Sequence, residues 1–508
     1  MNTYKYIVSF VIGLFLLIGC NDFLDEKPSK STSLVITTLD QLEYILNSYS
    51  IFYQESNRAA IYSSDDYGLL PELFEARSNT YSVAGVQFAT WNIENLPFDT
   101  RENYWQSEYR KIFYANMVLA NLPKVSGSEA DKERVKNEAH LIRAVSMWNL
   151  VQTYALPYTD ANADEPGMVL KESTSFEESY VRSTISETYD FIENDLNEAL
   201  KLSNEMEVVN NKYRSWRGSK AAANAYAARY WLHRNDYTKA LEYANIALQE
   251  HDEMMDYNSD MSYSSIPSNV TVEGESVPVL YPYTHDNQTD LTDMMEWKEL
   301  YYFRLMYHES WWYIPSPELL SLYDTEYDLR FKYHMVDNYS FDRGVTNPPY
   351  EYPGYIFFFK DRIPSGPTVA EMLLIKAEAL ARQDQVAAAM DAVNQLREKR
   401  MDSSAPADVI YLDASNRSEA ITVILEERRR ELPFSQRWFD IRRLNNNEDS
   451  ADDVGTLTRS FYGYNSSTVT PETGLITYTL EKGSRRYAAP IPNTEIQSSE
   501  GIIEQNVY

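Results

Sequence analysis

The sequence predicts a mostly α-helical protein, a tetratricopeptide-repeat-like scaffold of helix pairs interrupted by long, irregular, aromatic-rich excursions. Two segments 148 residues apart repeat one pattern of small and apolar residues at helical spacing. Further amphipathic stripes precede them, and the intervals between lose that spacing and fill with Tyr, Trp, Pro, Asn and Asp. A 3.6-residue apolar period means a helix with one buried face, and repetition of a helix pair means stacking.

The chain opens with MNTYKYIVSFVIGLFLLIGC, in which Lys5 precedes an apolar run ending at Leu17-Ile18-Gly19-Cys20. The run is short for a membrane span and has the form of a secretory h-region. Its last four residues resemble a bacterial lipobox. Residues 1–19 are therefore expected to be a removed signal peptide, with Cys20, the sole cysteine, as the lipidation site. Two or more acyl chains anchor stably where one does not. Residues 20–33 form a lipidated tether, and their acids Asp22, Asp25 and Glu26 resemble export signals for the outer face of an outer membrane. Residues 34–508 are expected to fold as one domain without a disulfide.

From Thr38, Leu39, Leu42, Ile45 and Leu46 mark a first helix. Others are expected over about 101–121, ending before Pro123, and over about 128–154. In 218–250 the stripe Ala221, Ala225, Ala228, Leu232 is followed, after Asn235-Asp236, by Ala240, Ala244 and Ala247. In 367–400 the stripe Ala370, Leu374, Ala377 is followed, after Gln383-Asp384, by Ala389, Val393 and Leu396, with Asp384, Ala388 and Ala392 matched to Asp236, Ala240 and Ala244. Small residues at this spacing let two helices approach closely, as in a repeat of about 34 residues. The excursions span about 51–100 and 251–366. Loops of that length are functional or disordered, and aromatic content argues against disorder.

Composition narrows the function. With 76 acids against 46 Lys and Arg, net charge is −30, and loss of residues 1–19 makes it −31. Such a surface repels nucleic acid. The six histidines have no metal-ligand or HExxH spacing, so no metal is expected, and no GxSxG, phosphate-loop or dinucleotide pattern occurs. Asn446 to Asp453 could hold calcium through oxygen ligands, but a solvated acidic loop fits the same residues. Two loop carboxylates could make a glycosidase. Asp65-Asp66 is the conspicuous pair, though adjacent acids suit a turn or cap better. The 41 tyrosines, beside nine Trp and 19 Phe, suit a soluble surface that grips amphipathic ligands.

Several motifs occur in an order that resembles the SusD/RagB family of outer-membrane nutrient-binding lipoproteins. NMVLANLPKV (Asn116 to Val125) and NEAHLIRAVSMWNLVQTYA (Asn137 to Ala155) are similar to the family's Asn-x-Val-Leu-x-Asn and Glu-Ala-x-x-Leu-Arg-Ala helices. GSKAAANAYAARYWLHRNDYTKA, IPSPELLSLYDTEYDLRF, VAEMLLIKAEALARQ and the closing APIPNTEIQSSEGIIEQNVY extend the likeness over nearly the whole chain. The resemblance implies about four tetratricopeptide-like helix pairs and no enzymatic activity or cofactor. It implies capture of an oligosaccharide, or of a peptide in RagB-like branches, and delivery to a SusC-type TonB-dependent transporter. A hydrolase and a ligand-free docking scaffold are the competing readings.

Sugar C–H faces lie on aromatic planes while hydroxyls need amides, acids or arginine at the rim. The expected platform residues are Tyr67, Tyr81 and Trp91 in the first excursion and Tyr283, Trp297, Trp311 and Trp312 in the second. Asp65, Asp66, Asp286 and Asn287 are the polar partners. ERRRELPFSQRWFDIRR, from Glu427 to Arg443, is instead expected to be internal scaffolding. Glu427, Arg428, Glu431, Arg437, Trp438, Asp440 and Arg442 match the family's Glu-Arg-x-x-Glu-Leu and Arg-Trp-Phe-Asp-Leu-x-Arg run. Their alternating sign suits buried ion pairs, with a cation–π contact at Trp438. Phe434-Ser435-Gln436 lacks the family's Glu-Gly, so a different turn is expected there.

Overall fold

The computed structural model describes residues 36–508 except 77, 79, 97–102, 176, 211, 264–267, 273–274, 280–293, 296, 310–312, 337–351 and 359–360. The expected lipidation site Cys20 and the signal and tether residues lie outside the described residues. Ten helices form the scaffold: α1 (Leu39–Leu46), α2 (Asn103–Asn121), α3 (Glu129–Tyr154), α4 (Ile185–Ala199), α5 (Lys220–His233), α6 (Tyr237–Glu250), α7 (Val369–Arg382), α8 (Val386–Arg400), α9 (Arg417–Glu431) and α10 (Arg437–Leu444). Neighbours in sequence pack together, α2 on α3, α3 on α4, α5 on α6 and α7 on α8, while α6 and α9 both pack on α7.

Their starts are chemically specified. The Ser128, Ser219, Asp236, Thr368 and Asn416 side chains each accept the backbone N–H three residues on, satisfying a donor that has no partner within the helix. Thr184 and Glu187 form a capping box at α4.

The repeated pair aligns with one correction. Helix α5 begins at Lys220 and α7 at Val369; α6 begins at Tyr237 and α8 at Val386, so the offset is 149, not 148. The turns agree, since Asn235 (φ 59°) and Asp384 (φ 60°) each take the left-handed conformation that ends a helix. In this register Ala240 and Ala244 correspond to Ala389 and Val393, all buried, whereas Ala388 faces solvent.

The excursions hold more helix than their sequence suggested. Arg58–Ser63, Pro71–Ala76 and Val83–Ala89 are helical, but helices of six or seven residues are too short to display a 3.6-residue period. A small sheet joins the two excursions, with β1 (Gln54–Glu55) parallel to β2 (Leu305–Tyr307) and β2 antiparallel to β3 (Arg362–Pro364). A hairpin of β4 (Leu457–Tyr464) and β5 (Val469–Leu480) closes over the first excursion.

Gly366, just past β3, lies so close to the chain leading into β2 that an added Cβ would sit 1.9 Å from the Tyr302 carbonyl oxygen. Backbone cannot yield as a side-chain tip can. Gly366→Ala is therefore expected to cost about 3 kcal/mol, read as a lower urea midpoint; an unchanged midpoint would mean that this approach is loose.

Candidate functional site

The arginine-rich run is buried and paired. Asp440 accepts Arg428 Nε at 2.8 Å and Arg443 Nε at 2.7 Å. Glu427 meets Arg330, Arg397 and Arg430 at 2.8, 2.7 and 3.0 Å. Glu431 accepts Arg400 Nε at 3.0 Å and lies 3.0 Å from Arg330. Burial pushes the Asp440 and Glu427 carboxyls up, but the arginine charges outweigh it and hold both well below the usual range.

Two members behave differently from expectation. Arg442 has no carboxylate partner among its described contacts. It donates to the carbonyls of Tyr487 and of Ala155, the latter at 2.8 Å, and burial pulls its pKa down to about 10. Trp438 stacks on Tyr487, with ring centres 5.2 Å apart, and no cation lies over it among the described contacts. A buried ring beside a parallel ring has its face already covered.

The turn at Phe434-Ser435-Gln436 is anchored to the first excursion. Phe434 takes φ 61°, unusual for a bulky residue, and its N–H donates to Asp66 Oδ2 at 3.1 Å. Asp66 Oδ1 accepts Arg429 Nε at 2.8 Å, and Asp65 accepts both prongs of Arg437 at 2.7 and 2.8 Å. Asp65 and Asp66, expected at a ligand rim, are thus the clamp that ties the first excursion to α9 and α10. Their oxygens are committed to arginines and to the Phe434 N–H, which also argues against a carboxylate pair free for acid–base work.

Four expected platform rings are likewise interior: Tyr67 is 3% exposed, Tyr81 5%, Trp91 1% and Trp297 2%. Tyr81 donates to the Gly68 carbonyl at 2.9 Å, and Trp91 Nε1 to that of Ser63 at 3.0 Å. Trp297 packs edge-on against Phe357 and Phe358. Arg459 of β4 explains why the first excursion closes into core. Its guanidinium lies 5.1 Å over Trp91 and donates to the carbonyls of Tyr62, Ser64, Tyr67 and Ala89, which a short irregular segment would otherwise leave unsatisfied. Tyr283, Asp286, Asn287, Trp311 and Trp312 lie outside the described residues.

What the excursions do leave at the surface is a polar and aromatic face where β1, β2 and β3 meet. Tyr53 and Tyr307, both half-buried, join hydroxyls at 3.2 Å, and the Arg362 guanidinium lies 4.7 Å over Tyr307. Beside them Arg58 donates to Glu309 Oε2 from Nε at 3.0 Å and from Nη2 at 2.6 Å, while Tyr62 donates to Oε1 at 3.0 Å. Burial pushes the Glu309 carboxyl up; the Arg58 charge and these hydrogen bonds more than offset it, holding the carboxylate ionised.

Beneath this face His308 is 3% exposed and neutral, burial taking its pKa to about 4. Described residues Glu309 and Tyr313 flank Trp311 and Trp312, and Met294 follows the segment that holds Tyr283, Asp286 and Asn287. The sequence reading missed Tyr53, Arg58, Tyr307, Glu309 and Arg362. Their shared face arises from pairing across some 250 residues, which no local motif signals.

Three of the four acids of 446–453 have cationic partners. Asp453 meets Lys482 at 2.5 Å, Asp449 lies 3.5 Å from Arg417, and Asp452 pairs with Arg382. Among the described residues no group of three or more His, Cys, Asp or Glu is placed to hold a metal ion.

A rigid helical-repeat body presenting rings, guanidinia and a carboxylate on one face is a scaffold for holding a ligand. A family model described as "Starch-binding associating with outer membrane" matches residues 22–232, and the SusD family model matches residues 369–508. The chain belongs to the SusD family of outer-membrane-associated, carbohydrate-binding proteins. SusD-like protein P2 of Formosa agariphila is 23% identical over 549 aligned positions, covering 99% of both chains. A SusD superfamily protein from Bacteroides thetaiotaomicron superposes with TM-score 0.60 at 17% identity, covering 93% of this chain and 100% of its own. Surface glycan-binding protein A from Bacteroides uniformis does so with TM-score 0.62 at 13% identity, covering 92% and 99%.

Proposed function

We propose that this protein captures oligosaccharide at the outer face of the outer membrane, tethered there through lipidated Cys20, and delivers it to a SusC-type TonB-dependent transporter without catalysing any reaction. The half-exposed face of Tyr53, Tyr307, Arg58, Glu309 and Arg362 carries this reading. Rings offer a plane for sugar C–H groups, and the guanidinium and carboxylate beside them take hydroxyls. The relative from Bacteroides uniformis bears the name of a surface glycan-binding protein, which supports a glycan over a peptide. Trp311 and Trp312 are proposed as further ligand contacts from their residue type alone.

Calorimetry against soluble polysaccharides and against peptide pools tests the ligand class. Trp311→Ala or Tyr307→Ala is expected to weaken oligosaccharide binding about tenfold or more while the melting curve stays native. Heat only from peptides would replace the glycan reading with a peptide-binding one. Release of new reducing ends would make the protein a hydrolase.

A further inference from the structure

Helix α2 carries a second aromatic stripe beside the residues it turns inward. Glu108, Ile112 and Ala115 face inward and are buried, yet Trp105, Tyr109 and Phe113, spaced by four, line a second stripe along which burial falls from Trp105 to the half-buried Tyr109 and Phe113. Residues 169–173 stand opposite and are pinned at two points. Tyr109 donates to the Val169 carbonyl at 2.8 Å and accepts its N–H at 3.1 Å. Asn116 donates to the carbonyls of Lys171 and Ser173 at 3.0 and 3.1 Å.

The far wall is held as firmly. Lys171 Nζ lies 4.1 Å over the Tyr180 ring and donates to the carbonyls of Glu178 and Ser179 at 3.2 and 3.1 Å, which orients that ring. Between the walls is a cavity of about 370 Å³, at the lower end of small-ligand sites. Serines and a threonine at 173–175 edge it.

We propose that this cavity is a second carbohydrate subsite, taking one or two neutral pyranose rings. The face at Arg58 and Glu309 is built from other elements; only the choice of sugar as ligand draws on the glycan reading. Rings on two walls with hydroxyls and amides at the rim match the C–H faces and hydroxyls of a pyranose. The lining favours a neutral ligand, because the Lys171 ammonium is already spent on two carbonyls and a ring, and the two other charged residues of the lining, Arg110 and Glu495, are of opposite sign.

Diazirine-bearing methyl glucoside, galactoside and mannoside, photolysed with the purified protein and mapped by peptide mass spectrometry, test it. Label is expected within 103–121 and 169–180, falling about five- to tenfold in Phe113→Ala and in Tyr180→Ala, each checked for a native melt. Mapping by segment separates this outcome from any labelling of the excursions, so either reading can fail alone. Absence of label from both segments overturns the proposal. So does competition by N-acetylphenylalaninamide but not by unlabelled glycosides, which would make the cavity a pocket for apolar peptide side chains.

Discussion

Asp440→Ala is expected to destabilise the protein by about 3 to 5 kcal/mol while leaving ligand affinity of the surviving folded molecules unchanged. The carboxylate is 4% exposed and accepts both Arg428 and Arg443. Its loss takes a carboxylate from two buried cations. Arg443 keeps Glu378, which accepts its two terminal nitrogens at 2.7 and 2.8 Å, and Arg428 keeps only a longer contact to Glu371 at 3.3 Å. The cost should therefore fall mainly on Arg428, and Arg428→Met in the Asp440→Ala background should recover part of it, because an apolar pair of similar volume leaves no charge behind. Urea denaturation of the four variants as a double-mutant cycle measures this. Lost affinity with unchanged stability would place Asp440 in the ligand site and refute the clasp.

The helices were legible because their signals are local. Caps such as Ser128 and Asp236 and stripes such as Ala221, Ala225 and Ala228 need only a few consecutive residues, and helix ends fell within two residues of expectation. Helix α4 went unnoticed although Thr184 and Glu187 print a capping box in the sequence. The ion clasp was legible too, since arginines interleaved with acids cannot stay buried without polar partners, although Arg442 finds carbonyls rather than an acid. What could not be read was which aromatic rings face out. Trp91 and Trp297 are as conspicuous in sequence as any ligand platform, yet Arg459, from 368 residues beyond Trp91, and Phe357-Phe358, 60 beyond Trp297, turn them inward. Asp65-Asp66 was misjudged for the same reason, its partners Arg429 and Arg437 lying more than 360 residues away.

The largest pH effect should come from three buried histidines that belong to no catalytic machinery, His334, His308 and His233, the last held by burial well below the usual imidazole range. His334 is 1% exposed and stacks on Phe357 with ring centres 4.6 Å apart. Its Nδ1 lies 2.9 Å from the Ile356 carbonyl, so Nδ1 carries the proton, and Nε2 accepts the Tyr257 hydroxyl at 3.0 Å. A second proton has no place to go. Burial, the dominant cause, lowers the pKa of His334 from 6.5 to about 3, and that of His308 to about 4.

The unfolded chain binds these protons near pH 6.5 and the folded one does not, so stability is complete above that pH and drains as pH falls towards 4. Each histidine contributes a slope of about 1.4 kcal/mol per pH unit within the window. The paired carboxylates Asp440 and Glu427 act lower. Their pKa values are depressed, so their contribution is lost only as pH drops below the ordinary carboxylate range. Burial raises the carboxyls of Glu108 and Glu299, which oppose the histidines above pH 4.5, so the wild-type slope is a net quantity. The difference between wild type and His334→Phe cancels every group but one. Below pH 6 the two stabilities are expected to converge by about 1.4 kcal/mol per pH unit in urea titrations, and curves that stay parallel from pH 7.5 to 4.5 would mean that the folded and unfolded chains protonate His334 alike.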